Sequence, residues 1–385
     1  MQATRRRALL GGAASVGAAA LSRLAFAQAE TEKRFVLVIL RGGMDGLSAL
    51  APVGDPDFVR ERRAQAETAG GVRPLDGFFA LHPALAPLER HWRNGHLVPI
   101  HALATSHRGR SHFEGQDVLE TAVAAPNSSS TGWVNRLAGL LPGSGDRLSA
   151  LAVGASVPYA LRGPTRVGSA QMPLPLVVSD AFIERATLLW NDDPVLGPAL
   201  AAGEGGPRMA GAGGALRGGE ADIALAKLAA ERLAAPKGPR IAVLEQNGWD
   251  THSAQLNRFQ RQAETLARML EAFAEGMKSV WRDTAVLAVS EFGRTVRPNG
   301  AGGTDHGTAG AGFLLGGKVR GGRVLADWPG LARAQQHEGR DLRPTLDIRA
   351  LYMGIAAGHF GIDGVSALAE LCPDATGIAP MEVFA

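Results

Sequence analysis

The sequence predicts an α/β fold built on a mostly parallel sheet. Three observations point to it: continuous apolar runs that read as strands buried on both faces, helical periodicities between them, and glycine-rich turns that close the runs. The first run, 35–40, ends in Arg41-Gly42-Gly43-Met44-Asp45-Gly46. Further runs cover 97–104, 148–153, 240–244, 284–289 and 312–315. Helical patterns occupy 84–93, 112–122, 133–141, 254–278 and 347–359, so strands and helices alternate as βαβ units require. Two more helices, 180–190 and 221–233, flank a stretch from 201 to 220 that holds 8 glycines in 20 positions and shows no apolar period. That stretch reads as a flexible insertion.

Length and composition narrow the class. At roughly 150 residues per domain, 385 residues hold one large domain or two medium ones. Hydrophobic residues at 45% and charged residues at 20% exclude both wholesale disorder and a polytopic membrane protein. With 50 glycines and 2 tyrosines, the core must be built from Ala, Leu and Val inside many tight loops. The net charge of +3 resides in the N-terminus: without Arg5, Arg6, Arg7 and Arg23, 36 basic residues face 37 acids. Nucleic acid is therefore not expected as an electrostatic partner.

Thr4-Arg5-Arg6-Arg7 precedes a Gly/Ala-rich apolar stretch and Ala25-Phe26-Ala27, a small-x-small cleavage pattern. Residues 1–27 resemble a twin-arginine export signal. The apolar part falls short of the ~20 residues of a spanning helix, so no stable membrane span is expected after cleavage. A periplasmic or secreted protein handled by the twin-arginine export machinery is expected, with 28–385 as a single domain. Cys372 is the only cysteine, so no intrachain disulfide can form.

In parallel sheets, ligands bind beyond the carboxyl ends of the strands. Polar residues gather in five loops there: Asp45 after the first run; the 105–114 segment, with Ser106 and Ser111, after the second; Asp250 and His252 after the 240–244 run; Glu291 and Arg294 after the 284–289 run; and Asp305-His306 ahead of the 312–315 run. Carboxylates and imidazoles together are the donors that Zn²⁺ or Mn²⁺ favours. Each residue also has a plainer reading. Asp45 and Asp305 suit turns, Asp250 suits a helix start, and Glu291 with Arg294 suits an ion pair inside one loop. Ser111-His112-Phe113-Glu114 matches a capping box, yet a hydroxyl at a helix N-terminus also stands where anions bind. Ser106 is the competing hydroxyl.

The LRGGMDGLS, SHFEGQD, NGWDTH, SEFGRT and GTDHG segments, with the export signal, resemble the exported bacterial family named domain of unknown function 1501. That family looks like a branch of the alkaline phosphatase superfamily. The resemblance implies a doubly wound α/β sheet with a two-metal site at the strand ends. It places Ser111 at the nucleophile position, with a metal-bound water as the other candidate, Asp250, His252 and His306 at the first ion with Asp305 beside them, and Asp45 and Glu291 at the second. Asn247 is the alternative to Asp250. Phe292 stands where the superfamily carries a ligating His, so one ligand of the second ion is missing. The expectation is an exported metal-dependent hydrolase of phosphate or sulfate esters, acting on a small anionic ester or an anionic surface glycan. The alternative is a non-catalytic relative that binds an anionic cell-surface ligand or another exported protein.

Overall fold

A computed structural model describes residues 31–63, 71–142, 148–171 and 218–385. The expected export signal, the helix expected at 180–190 and the insertion up to residue 217 lie outside the described residues. The described residues fall in one compact unit. Its centre is an eight-stranded sheet. In chain order the strands are β1 (Arg34–Leu40), β2 (Leu97–Ala104), β3 (Ala150–Val153), β4 (Val167–Ala170), β5 (Ile241–Gln246), β6 (Thr284–Val289), β7 (Gly310–Gly316) and β8 (Leu346–Asp347). Across the sheet they run β8-β2-β7-β6-β1-β5-β3-β4. β7 pairs antiparallel with both β2 and β6, and the remaining pairings are parallel. A separate three-stranded sheet joins Leu50–Ala51, Ala80–Leu81 and Arg73–Pro74.

The apolar runs are continuous because both faces of the sheet are covered. Along β1, Phe35, Leu37 and Ile39 enter one core, while Val36, Val38 and Leu40 enter the other. The period of two therefore separates two layers of apolar packing rather than core from solvent. The first face is covered by helices α1 (His112–Thr121), α2 (Trp133–Leu140) and α5 (Ile348–Phe360), through Leu119, Trp133, Leu137 and Leu351. The second is covered by α3 (Gly219–Ala234) and α4 (Gln255–Gly276), through Ala229, Phe259, Leu266 and Leu270. Each fully buried large aliphatic or aromatic side chain contributes roughly 1.5–3 kcal/mol, so these layers stabilise a chain without a disulfide. Among the described residues no helix is long and apolar enough to cross a membrane.

Strand polarity decides which loops meet. β1, β2, β5 and β6 run in one direction, so the loops that follow them emerge at one edge. β7 runs the opposite way, which returns the loop preceding it, 303–309, to that same edge. The single antiparallel strand thus delivers His306 to the carboxyl ends of its neighbours. The expected helix at 84–93 is divided: Pro83–Leu88 is a 3-10 turn with Pro87 inside it, and Glu89–Arg93 is α-helical. Pro87 supplies no N–H to an α-helical ladder, which favours the break.

Candidate metal centre

Asp250, His252, His306 and His112 converge at this edge. The Nε2 atoms of His252 and His306 are 2.9 Å apart, and they lie 3.1 and 3.3 Å from Asp250 Oδ1. His112 Nε2 is 3.6 Å from Asp250 Oδ2 and has no hydrogen-bond partner among the described residues. One donor atom each from His112, Asp250 and His306 can be drawn from a group whose members all lie within 4.8 Å of one another.

The other nitrogen of each imidazole is held from behind. His112 Nδ1–H donates to Glu291 Oε1 at 2.7 Å, His252 Nδ1–H to Asp305 Oδ1 at 3.2 Å, and His306 Nδ1–H to the Arg110 carbonyl at 2.7 Å. These acceptors place the proton on Nδ1 and direct each Nε2 lone pair into the cluster. Lone pairs facing lone pairs and a carboxylate repel, and a cation between them removes the repulsion. An imidazole that ligates through one nitrogen and donates from the other to a carboxylate or carbonyl is the arrangement that orients metal-binding histidines. The residues present therefore fit a divalent ion.

Electrostatics follow from the same contacts. Burial raises the Asp250 carboxyl, but Arg294, whose Nη2 donates to Oδ1 at 2.6 Å, outweighs it and holds the group below its usual value. Burial likewise opposes ionisation of Glu291, and its bond from His112 prevails, leaving its pKa lowered. Glu291 also accepts from Gly42 N at 2.9 Å, Ser290 Oγ at 2.8 Å and Gln116 Nε2 at 3.2 Å. The His112 imidazole is raised by its bond to Glu291. The expected ion pair inside the 291–294 loop does not form, because Arg294 turns to Asp250 and to the Gly43 and Thr304 carbonyls instead.

Asp45 is kept away from this cluster. Its carboxylate is fully buried and accepts from Arg62 Nη1 at 2.5 Å, Arg62 Nη2 at 3.0 Å, Ser48 Oγ at 2.6 Å and Gln255 Nε2. Burial is again outweighed, by Arg62, and the group stays below its usual range. An arginine fork occupies the carboxylate that the resemblance assigns to a second ion.

Ser111 is the N-cap residue of α1, at φ −92° and ψ 125°, but its side chain makes no cap bond. The expected capping box stays open because Glu114 pairs with His107, Nε2 to Oε2 at 3.3 Å. Ser106 donates to the Val123 and Ala124 carbonyls at 3.2 and 2.9 Å, so its hydroxyl is engaged. Phe292 packs its ring against both His112 and His306, with centroids 4.9 and 5.0 Å apart. Two glycines permit these approaches. At Gly42, φ +118°, an added Cβ would stand 2.5 Å from Asp250 N; at Gly43, φ +67°, it would stand 2.6 Å from the Phe292 ring.

The residue that sequence reasoning passed over is His112. Its signal was its place: the first residue of the helix that follows a core strand, beside Ser111.

None of the curated proteins matches the sequence. Among solved structures, the chain is similar to Ps i-CgsB in complex with k-i-k-neocarrahexaose, at 9% identity and a TM-score of 0.46, covering 88% of this chain and 74% of that one. It is also similar to the C-terminal periplasmic domain of EcEptC from Escherichia coli in complex with Zn, at 11% identity and a TM-score of 0.40, covering 75% and 74%. A protein in the alkaline phosphatase superfamily from Vibrio parahaemolyticus is similar at 11% identity and a TM-score of 0.40, covering 79% of this chain and 65% of that one. Residues 208–371 match the family described as "Protein of unknown function (DUF1501)".

Proposed function

We propose that the protein is an exported, metal-dependent hydrolase of phosphate or sulfate esters. The observation that carries the reading is the convergence of three imidazole Nε2 atoms on Asp250, with Glu291, Asp305 and the Arg110 carbonyl fixing the opposite nitrogens. His112, Asp250, His252 and His306 would hold the ion, and three nitrogens with one oxygen suit Zn²⁺ or Mn²⁺. Once bound, the ion would supply Lewis acidity toward an ester oxygen.

The chain's own residues would do the rest. Free N–H groups at the start of α1 favour an anionic group beside Ser111. The Ser111 hydroxyl, free of a capping bond, would attack phosphorus or sulfur as the alcohol leaves; water would then release the oxyanion and restore the hydroxyl. Arg294 neutralises part of the Asp250 charge, so the ion is held less tightly than three imidazoles and a free carboxylate would hold it. The substrate side of the reading is a small anionic ester or an anionic surface glycan, met in the periplasm or outside the cell.

A second reading, a non-catalytic protein that binds an anionic surface ligand or another exported protein, is favoured by Phe292 and by the arginine fork on Asp45, which together leave one ion where two-metal catalysis uses two.

The test is metal content by mass spectrometry on protein purified without chelator, with turnover of aryl phosphate and aryl sulfate. About one equivalent of Zn²⁺ or Mn²⁺ and weak turnover are expected, and His112→Ala should lose the ion. Less than about a tenth of an equivalent of any divalent ion would end the metal reading. An ion without turnover on either ester would transfer the lead to the binding reading.

A further inference from the structure

Two loops, 249–252 and 303–306, carry three of the four candidate ligands, and one buried side chain touches both. Gln255 is the first residue of α4 and is fully buried. Its Oε1 accepts from Thr251 Oγ1 at 3.0 Å and from Thr304 Oγ1 at 2.5 Å. Thr251 lies between Asp250 and His252, and Thr304 precedes Asp305 and His306. On its other side, Gln255 Nε2 donates to Asp45 Oδ2 and, at 3.3 Å, to Ser48 Oγ. Both hydrogens and both lone pairs of the amide are thereby used, which fixes its orientation. Asp45 is itself held by Arg62, and Arg62 also donates to the Thr295 carbonyl at 2.7 Å. Thr295 in turn donates from its N–H to the Asp305 carbonyl at 3.0 Å.

We propose that Gln255 is a positioning residue for the metal centre: one amide, anchored on the Asp45–Arg62 pair, fixes the separation of the two ligand-bearing loops and so the distance between the His252 and His306 Nε2 atoms. The inference rests on the metal reading and extends it to the residues behind the ligands. It gives the Asp45–Arg62 pair a task without an ion at Asp45. Backbone contacts also join the loops, Thr304 N to Thr251 O at 3.2 Å and Gln255 N to Gly302 O at 3.0 Å. These fix the backbones, whereas the amide locks the two threonine side chains that neighbour the ligands. The Gln255 amide is fully satisfied, and a satisfied polar group specifies one geometry where apolar packing tolerates several.

The experiment compares three variants with the parent. Gln255→Met keeps the length of the side chain and removes all four bonds. Thr304→Val removes one. Ser48→Ala removes a bond to Asp45 and the 3.3 Å acceptor of Gln255 Nε2, yet it touches neither loop and leaves the Asp45 anchor and both threonine bonds of the amide in place. Zn²⁺ affinity is read by competition with a chromophoric chelator, and ligand geometry by the visible spectrum of the Co²⁺-substituted protein. Backbone hydrogen exchange in 249–252 and 303–306 is read on metal-free protein.

Gln255→Met should weaken Zn²⁺ binding by about 10–100-fold, the scale of lost support behind a ligand, and alter the Co²⁺ spectrum. Exchange should rise in both loops together. Thr304→Val should show a smaller change of the same kind, and it carries the test if Gln255→Met does not fold. Ser48→Ala should lose stability but keep parental affinity, spectrum and loop exchange. The proposal is overturned if both loop variants bind Zn²⁺ within about threefold of the parent, or if Ser48→Ala weakens binding as much as they do. A parent that binds no ion ends the metal reading, while the exchange arm still decides whether Gln255 joins the loops.

Discussion

Ser111 illustrates how one residue's surroundings set the right experiment. In sequence its hydroxyl is as good a cap as a nucleophile, so Ser111→Ala would confound stability with activity. In the structure the hydroxyl makes no cap bond, so the alanine variant should cost well under the ~0.5–2 kcal/mol of a lost N-cap. If Ser111 attacks the ester, turnover should fall at least ~10³-fold at nearly unchanged melting temperature. Activity within a few-fold of the parent would pass the role to water, since the Ser106 hydroxyl is committed to two carbonyls. Asp250, His252 and His306 were legible as ligand candidates because one strand end and a loop between strands announce them. The position of Asp45 was not, because its partner Arg62 returns from 17 residues further on, and no periodicity marks an arginine that will be buried. The plainer reading of Arg294, an ion pair with Glu291, fails for a related reason: a long side chain can leave its own loop, and nothing in the local sequence says that it does.

At the scale of elements, the continuous apolar runs made the strands legible, and loop chemistry pointed to the working edge. Strand direction was less legible. The 303–307 loop precedes its strand instead of following it, and it reaches the edge only because β7 is antiparallel. Strands β4 and β8 were missed, being 4 and 2 residues long and only partly apolar. Where α1, the β1 loop and the β6 loop meet, Phe292 is the wedge. Its ring faces Gly115 on α1 and Gly43 after β1, and it supports the rings of His112 and His306. Gly43→Ala should destabilise the protein by about 1–3 kcal/mol, since a left-handed φ and a Cβ pressed on a packed ring both oppose it. It should also loosen Zn²⁺ binding, because the displaced ring shifts both imidazoles. Urea denaturation and chelator competition measure the two effects, and a Gly43→Ala protein as stable and as tight-binding as the parent would remove Phe292 from the account of the site.

For the whole molecule, the cost of a large Ala/Leu/Val core is that several histidines are buried where a charge is disfavoured. Burial lowers His82, His101 and His359 from 6.5 to about 4. His359 is the simplest of them: Nε2–H donates to the Arg34 carbonyl at 2.9 Å, and its ring packs between Phe360 and Phe384, far in sequence from the ligand loops. Between pH 6.5 and about 4 the unfolded chain binds protons at these sites that the folded chain refuses. Stability must therefore fall as pH drops through that window, each group adding at most ~1.4 kcal/mol per pH unit to the slope. The buried carboxylates act lower. Asp45 and Glu291 have lowered values, so the stability they contribute is full above the ordinary carboxylate pKa and is lost progressively as pH falls from there through their folded values. The two limbs can be separated with His359→Gln, which keeps an N–H able to reach the Arg34 carbonyl but cannot titrate. In chelator, so that no ion competes with protons, urea unfolding from pH 7.5 to about 2.5 should show a shallower slope for the variant between pH 6.5 and 4, and the limb below pH 4 should be unchanged. An unchanged slope between pH 6.5 and 4 would mean that His359 takes up its proton without unfolding, and that the core at the α5 end opens more readily than its packing implies.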